Sequence, residues 1–119
     1  MKKTLIIGAS ENPERYANIA TKRLLAHHHE VVLLGVRAGE IAGLPILATK
    51  PALDGIDTVT LYVGPKNQAE WFDYVLSVQP KRVIFNPGTE NPAFYEILEK
   101  HQIQVEIACT LVLLSIGEY

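Results

Sequence analysis

The chain has 119 residues, 48% of them hydrophobic and 20% charged, with a formal net charge of −2. That length fits one domain, residues 1–119, with a core of its own, and the composition excludes a largely disordered chain. So small a charge supplies no clustered basic surface for nucleic acid or an anionic membrane, so any phosphate must be bound by local groups.

Met1-Lys2-Lys3 leads into Leu5-Ile6-Ile7. This apolar run is too brief for a signal peptide or a membrane span and reads as a strand. Thr4 to Ile7 shows no polar alternation, the pattern of a central parallel strand covered on both faces. Gly8 to Pro13 is a turn of small and capping residues, and Glu14 to His28 is a predicted helix carrying Ala17, Ile19, Ala20, Leu24 and Leu25. Val31 to Val36 repeats the continuous apolar pattern as a second strand. Arg37 to Gly43 is expected as a loop, and Leu44 to Leu47 as a short edge strand.

Thr58 to Val63 is β-branched and aromatic and ends at Gly64-Pro65, after which Trp71, Val75 and Val78 give Asn67 to Val78 helical spacing. Arg82 to Phe85, the loop Asn86 to Pro92 and a helix over Ala93 to His101 form the next repeat, with Phe94, Ile97 and Leu98 inward. Ile103 to Ile107 is a last strand. Periodicity leaves the apolar tail Cys109 to Ile116 open between helix and strand.

Strands alternating with helices predict an α/β chain, a Rossmann-like three-layer α/β/α domain with a mainly parallel sheet of five to six strands. Ligands of such sheets sit beyond the carboxyl ends of the strands. The candidate loops are therefore Gly8 to Arg15, Gly35 to Gly39, Gly64 to Asn67, Asn86 to Asn91 and Cys109-Thr110.

In the first loop Gly8, Ala9 and Ser10 allow backbone amides to approach phosphate at a helix start, with Arg15 and Tyr16 beside them. The loop lacks the Gly-x-Gly-x-x-Gly fingerprint, which weakens a reading as an NAD(P)-dependent oxidoreductase. Arg37 follows the second strand, where such folds recognise the adenosine ribose, and an arginine there favours an added phosphate. Asn91 before Pro92 forms a helix cap. Glu90 lacks a partner for acid–base work, and the apolar flanks of Cys109 predict a structural thiol. His27-His28-His29 are adjacent rather than spaced four apart, which suits a helix C-terminus better than a metal. One cysteine allows no internal disulfide and suits a reducing, cytoplasmic setting.

Gly8-Ala9-Ser10 with Asn12-Pro13-Glu14-Arg15-Tyr16, then Ile41-Ala42-Gly43-Leu44, Asp57-Thr58-Val59, Asn86-Pro87-Gly88 and Ala108-Cys109-Thr110 follow one another over nearly the whole chain. In that order and spacing the chain resembles the small stand-alone CoA-binding domain proteins, related to the CoA-binding part of succinyl-CoA synthetases. The resemblance implies binding of coenzyme A or an acyl-CoA across the strand ends without a covalent intermediate. It places Gly8, Ala9 and Ser10 at the pyrophosphate, with Arg15 supporting the phosphates beside Tyr16. Arg37 falls to the 3′-phosphorylated adenosine, with Val36 beside it among the cofactor-binding residues, and Val63 and Pro65 to the adenine or ribose edge. Asn86, Pro87, Gly88 and Thr89 fall to the pantetheine side, with Cys109 and Thr110 touching the ligand. Where the family often has Asn-Pro before a basic residue, this chain has Gly35-Val36-Arg37, so the charge is kept and the amide is lost. The expected role is a non-catalytic binding or accessory protein with a small-molecule partner. Neither nucleic acid nor membrane is expected as a partner, and a homodimer through the apolar C-terminal tail, or association with a larger enzyme, is compatible. A Rossmann scaffold acting only through protein partners is the remaining alternative.

Overall fold

The computed structural model describes residues 1–119. Its seven strands are β1 (Thr4–Ile7), β2 (Val31–Leu34), β3 (Gly39–Ile41), β4 (Leu44–Leu47), β5 (Thr58–Leu61), β6 (Arg82–Phe85) and β7 (Gln104–Ile107). The helices are α1 (Tyr16–Ala26), α2 (Phe72–Val78), α3 (Pro92–Lys100) and α4 (Thr110–Ser115). The strands form one sheet in the order β3-β4-β2-β1-β5-β6-β7, parallel except for β3 against β4.

Every residue of β1, β5 and β6 is buried, as central parallel strands covered on both faces require, including the polar Thr58, Thr60 and Arg82. On one face Leu5, Ile7, Val59, Leu61, Val83 and Phe85 pack against Val75 and Val78 of α2 and Phe94 and Leu98 of α3. On the other, Ile6, Leu33 and Ile46 pack against Ala17 and Leu24 of α1 and Leu114 of α4. The result is a Rossmann-like α/β arrangement of three layers.

The expected five to six strands become seven, because the stretch expected as a loop contains β3. Ala42 and Gly43 take φ of +51° and +83°, the signature of a tight two-residue hairpin turn, and fold Gly39–Ile41 back on Leu44–Leu47. The helix expected from Asn67 begins only at Phe72 and is preceded by two 3₁₀ turns, Pro65–Asn67 and Ala69–Trp71. The tail left open by periodicity is helical as α4. Asn91 caps α3, its side chain accepting the Phe94 N–H at 3.4 Å with Pro92 in the first turn. His27 and His101 each place Nδ1 on a last-turn carbonyl, Arg23 at 2.8 Å and Ile97 at 2.9 Å.

From β1 the chain passes to β2, then to β3 at the sheet edge and back through β4 between them, before it lays β5 on the other side of β1. The connections leaving β1 and β5 therefore run to opposite faces, and their ends frame a crevice at the carboxyl edge of the sheet.

Candidate functional site

The first loop is laid across the ends of β1, β2 and β5 by close backbone approaches. Gly8 has φ +99°, and a Cβ there would stand 2.6 Å from the Tyr62 carbonyl oxygen just past β5. A Cβ on Gly35 would meet the Ala9 carbonyl oxygen at 2.6 Å. The N–H groups of Gly8 and Ala9 both donate to the Leu34 carbonyl at 2.9 Å, so these two amides tie the loop to β2. The N–H groups of Ser10, Tyr16 and Ala17 have no acceptor within the protein, and no side chain caps α1. Free donors at a helix start attract an anion. Arg15, at the cap position, is exposed, and so is Tyr16.

Side chains within the loop fix its shape. Ser10 Oγ accepts the Asn12 N–H at 3.1 Å, which leaves its hydroxyl proton unused, and Asn12 Oδ1 accepts the Glu14 N–H at 3.0 Å. Buried Asn18 donates from Nδ2 to the Ser10 carbonyl at 2.9 Å while its Oδ1 has no partner. Asn18 was not among the sequence candidates, and only its position one turn into the first helix distinguishes it there.

Beneath the mouth lies a buried polar brace. Asn86 Nδ2 donates to Thr60 Oγ1 at 2.7 Å and to the Leu61 carbonyl at 2.8 Å, while Asn86 Oδ1 accepts the Thr110 N–H at 2.9 Å. The Thr60 and Thr110 hydroxyls are 2.8 Å apart. Beside them, burial pushes the Tyr62 phenol up to about 12, and the neighbouring Thr110 and Thr60 hydroxyls offset part of that rise. Buried Gln68 links two loops by donating to the Val63 carbonyl at 2.9 Å and the Thr89 carbonyl at 2.7 Å, and accepts from Asn91 Nδ2 at 3.1 Å. Thr89 Oγ1 donates to the Asn86 carbonyl at 2.7 Å.

The sequence candidates thus separate into two layers. Arg15, Tyr16, Val36, Arg37, Pro65, Pro87 and Gly88 are exposed around the mouth, with Gly8, Ser10, Val63 and Cys109 half-buried. Val36 keeps 93% and Tyr16 71% of its surface exposed, which puts large apolar groups at the rim. Ala9, Asn86, Thr89 and Thr110 are buried below it, the last three with their polar atoms engaged in the brace. Glu90 folds back so that its carboxylate accepts the Gly88 N–H at 2.8 Å.

Two surface clefts of about 340 and 370 Å³ open at the opposite, amino edge of the strands. The first is walled by Lys2, Lys81 and Arg82 with Asp57, Glu106 and Glu118, charges of both signs in equal number. Lys81 lies 3.9 Å from Asp57, and Arg82 pairs with Glu106 at 2.8 Å, so its charges answer one another rather than a ligand. No helix is long and apolar enough to cross a membrane.

A family model described as a CoA binding domain matches residues 2–115. A solved structure described only as an uncharacterized protein is 50% identical over all of this chain and 98% of its own, with a TM-score of 0.98. A hypothetical protein from Pyrococcus horikoshii is 30% identical over 93% of this chain and 80% of its own, TM-score 0.82. A conserved hypothetical protein from Pyrococcus furiosus is 28% identical over 89% and 92%, TM-score 0.79. No curated protein matches the chain.

Proposed function

The chain belongs to the CoA-binding domain family, and from that premise we propose that it binds coenzyme A or an acyl-CoA at the carboxyl edge of its sheet without performing chemistry on it. The observation that carries this reading is the set of unpartnered N–H groups of Ser10, Tyr16 and Ala17 at the uncapped start of α1, the position that receives the pyrophosphate. The Ser10 hydroxyl and Arg15 add donors, Arg37 supplies charge for the phosphorylated adenosine, and exposed Val36 and Tyr16 offer apolar surface to the adenine. The pantetheine arm runs toward Pro87, Gly88 and Cys109 over the brace.

A non-catalytic role is supported by what the reactive side chains already do. Glu90 is bonded to its own loop, and His27 and His101 sit on helix-end carbonyls. Acid–base or nucleophilic chemistry needs two positioned groups in reach of one another. The protein then acts in the cytoplasm as a module that holds or presents the cofactor.

Calorimetry with CoA, acetyl-CoA, 3′-dephospho-CoA, ATP and NADPH tests this. CoA binds one to one, and Arg37→Ala weakens CoA about ten-fold more than 3′-dephospho-CoA, the size of a lost charge-assisted contact. Binding of ATP or NADPH with none of CoA refutes the reading.

A further inference from the structure

The first loop also carries a carboxylate lodged against the start of β3. Glu11 reaches from the first loop to the β3 hairpin, where its Oε2 accepts the Glu40 N–H at 3.0 Å. Its carboxylate lies against Gly39: a Cβ built on that glycine would stand 2.5 Å from Glu11 Cδ and 2.8 Å from Oε1. Gly39 does not have a positive φ, so its backbone makes no demand for glycine. The demand is for space, and Glu11 fills that space.

This carboxylate is held by one neutral donor. The ion pairs of the chain join Lys3 to Glu30, Lys81 to Asp57, Arg82 to Glu106 and Lys100 to Glu96, and none includes Glu11. Glu11 is exposed, so one such bond is a weak hold. The seat itself comprises a backbone N–H and an open glycine, and Arg37 stands two residues before that glycine in the chain, after the strand whose end meets the adenosine in folds of this class. A phosphate monoester asks for the same donors as a carboxylate and gains more from the arginine.

Resting on the CoA reading above, we infer that Gly39 and the Glu40 N–H form the seat of the ligand's ribose phosphate, and that Glu11 holds it until the ligand displaces it. Glu11 thereby competes with ligands that carry this phosphate and leaves those without it untouched.

Calorimetry with CoA and 3′-dephospho-CoA on three proteins decides the matter. Glu11→Ala removes the competitor, and the preference for CoA over 3′-dephospho-CoA rises about three- to ten-fold, the worth of one ordinary hydrogen bond in an exposed place. Gly39→Ala also evicts Glu11, but its methyl fills the seat, so the preference falls below that of the unaltered protein while 3′-dephospho-CoA still binds. Only the far end of a flexible side chain must move for that methyl, so the melting temperature of Gly39→Ala stays near the original. An unchanged or lowered preference in Glu11→Ala, or an undiminished one in Gly39→Ala, overturns the inference while the CoA reading stands. An unaltered protein that binds neither ligand overturns both.

Discussion

Replacing Asn86 by alanine separates a brace from a ligand contact. The side chain is 1% exposed and makes three hydrogen bonds, two donated from Nδ2 and one accepted by Oδ1. Alanine withdraws a partner from the Leu61 carbonyl and from the Thr110 N–H in a place closed to water. Each such loss costs about 1–3 kcal/mol, and partial relaxation brings the expected total to about 3 kcal/mol. Against a domain stability of about 5–15 kcal/mol the variant still folds. Urea unfolding measures the loss as a lower midpoint at unchanged slope, and amide exchange reports faster opening at Thr110. Well below the new midpoint, CoA affinity stays within about three-fold, a change of under 0.7 kcal/mol. A variant that keeps its stability to within about 0.5 kcal/mol, the range of an inert surface change, and yet loses CoA would show that Asn86 touches the ligand instead.

Gly8→Ala places a methyl 2.6 Å from the Tyr62 carbonyl at φ +99°, and both neighbours are backbone, so the ends of β1 and β5 must part. A loss of about 2 kcal/mol or more in thermal melts is expected, and ligand binding goes with it; a melt like that of the unaltered protein refutes the close approach. Arg82, 6% exposed, donates to Thr58 at 3.0 Å and Glu106 at 2.8 Å beneath the Tyr119 ring at 4.6 Å. Arg82→Ala is expected to cost about 3 kcal/mol, while Arg82→Met, which keeps the packing, recovers part of it in the same denaturation assay. Tyr62 keeps its proton to about pH 12 in the folded chain, whereas an unfolded phenol loses it near the ordinary value of 10. Between those values the unfolded state binds fewer protons, so stability falls as pH rises, by about 2–3 kcal/mol from this group at most. Tyr62→Phe flattens that alkaline slope, and a slope that persists undiminished assigns it to other groups.

What the chain disclosed in advance follows a physical line. β1 was legible from its apolar Leu5-Ile6-Ile7, as a strand buried on both faces requires, and β5 from its β-branched Thr58-Val59-Thr60. β3 was not, because only Ile41 of Gly39-Glu40-Ile41 turns inward, and its hairpin turn puts an alanine where asparagine is the usual signal. That the connecting loops gather at the carboxyl edge was legible from the alternation of strands and helices. Which of its atoms remain free was not, since the engagement of the Gly8 and Ala9 amides depends on how closely the ends of β1 and β2 approach. Asn86, Thr89 and Thr110 are loop or helix-end polar residues whose letters read alike whether they face a ligand or each other. Gln68 went unnoticed for the same reason, though its side chain joins the β5 and β6 loops.

The two layers explain each other. A mouth formed by loops is only as well defined as what it stands on, and loops are the most mobile parts of such a fold. Here the floor under the mouth is a closed set of hydrogen bonds from β5, β6 and α4, which fixes the loop bases at Tyr62, Asn86 and Cys109 relative to one another. The first loop is tied separately, to β2 through the Leu34 carbonyl and to α1 through Asn18. Exposed Arg15, Tyr16, Val36 and Arg37 are thereby free to be chosen for a ligand without cost to the core, while substitutions in the floor act on affinity only through stability. Changes at the rim should therefore shift binding and leave the melting temperature in place, and changes at Asn86 should do the reverse.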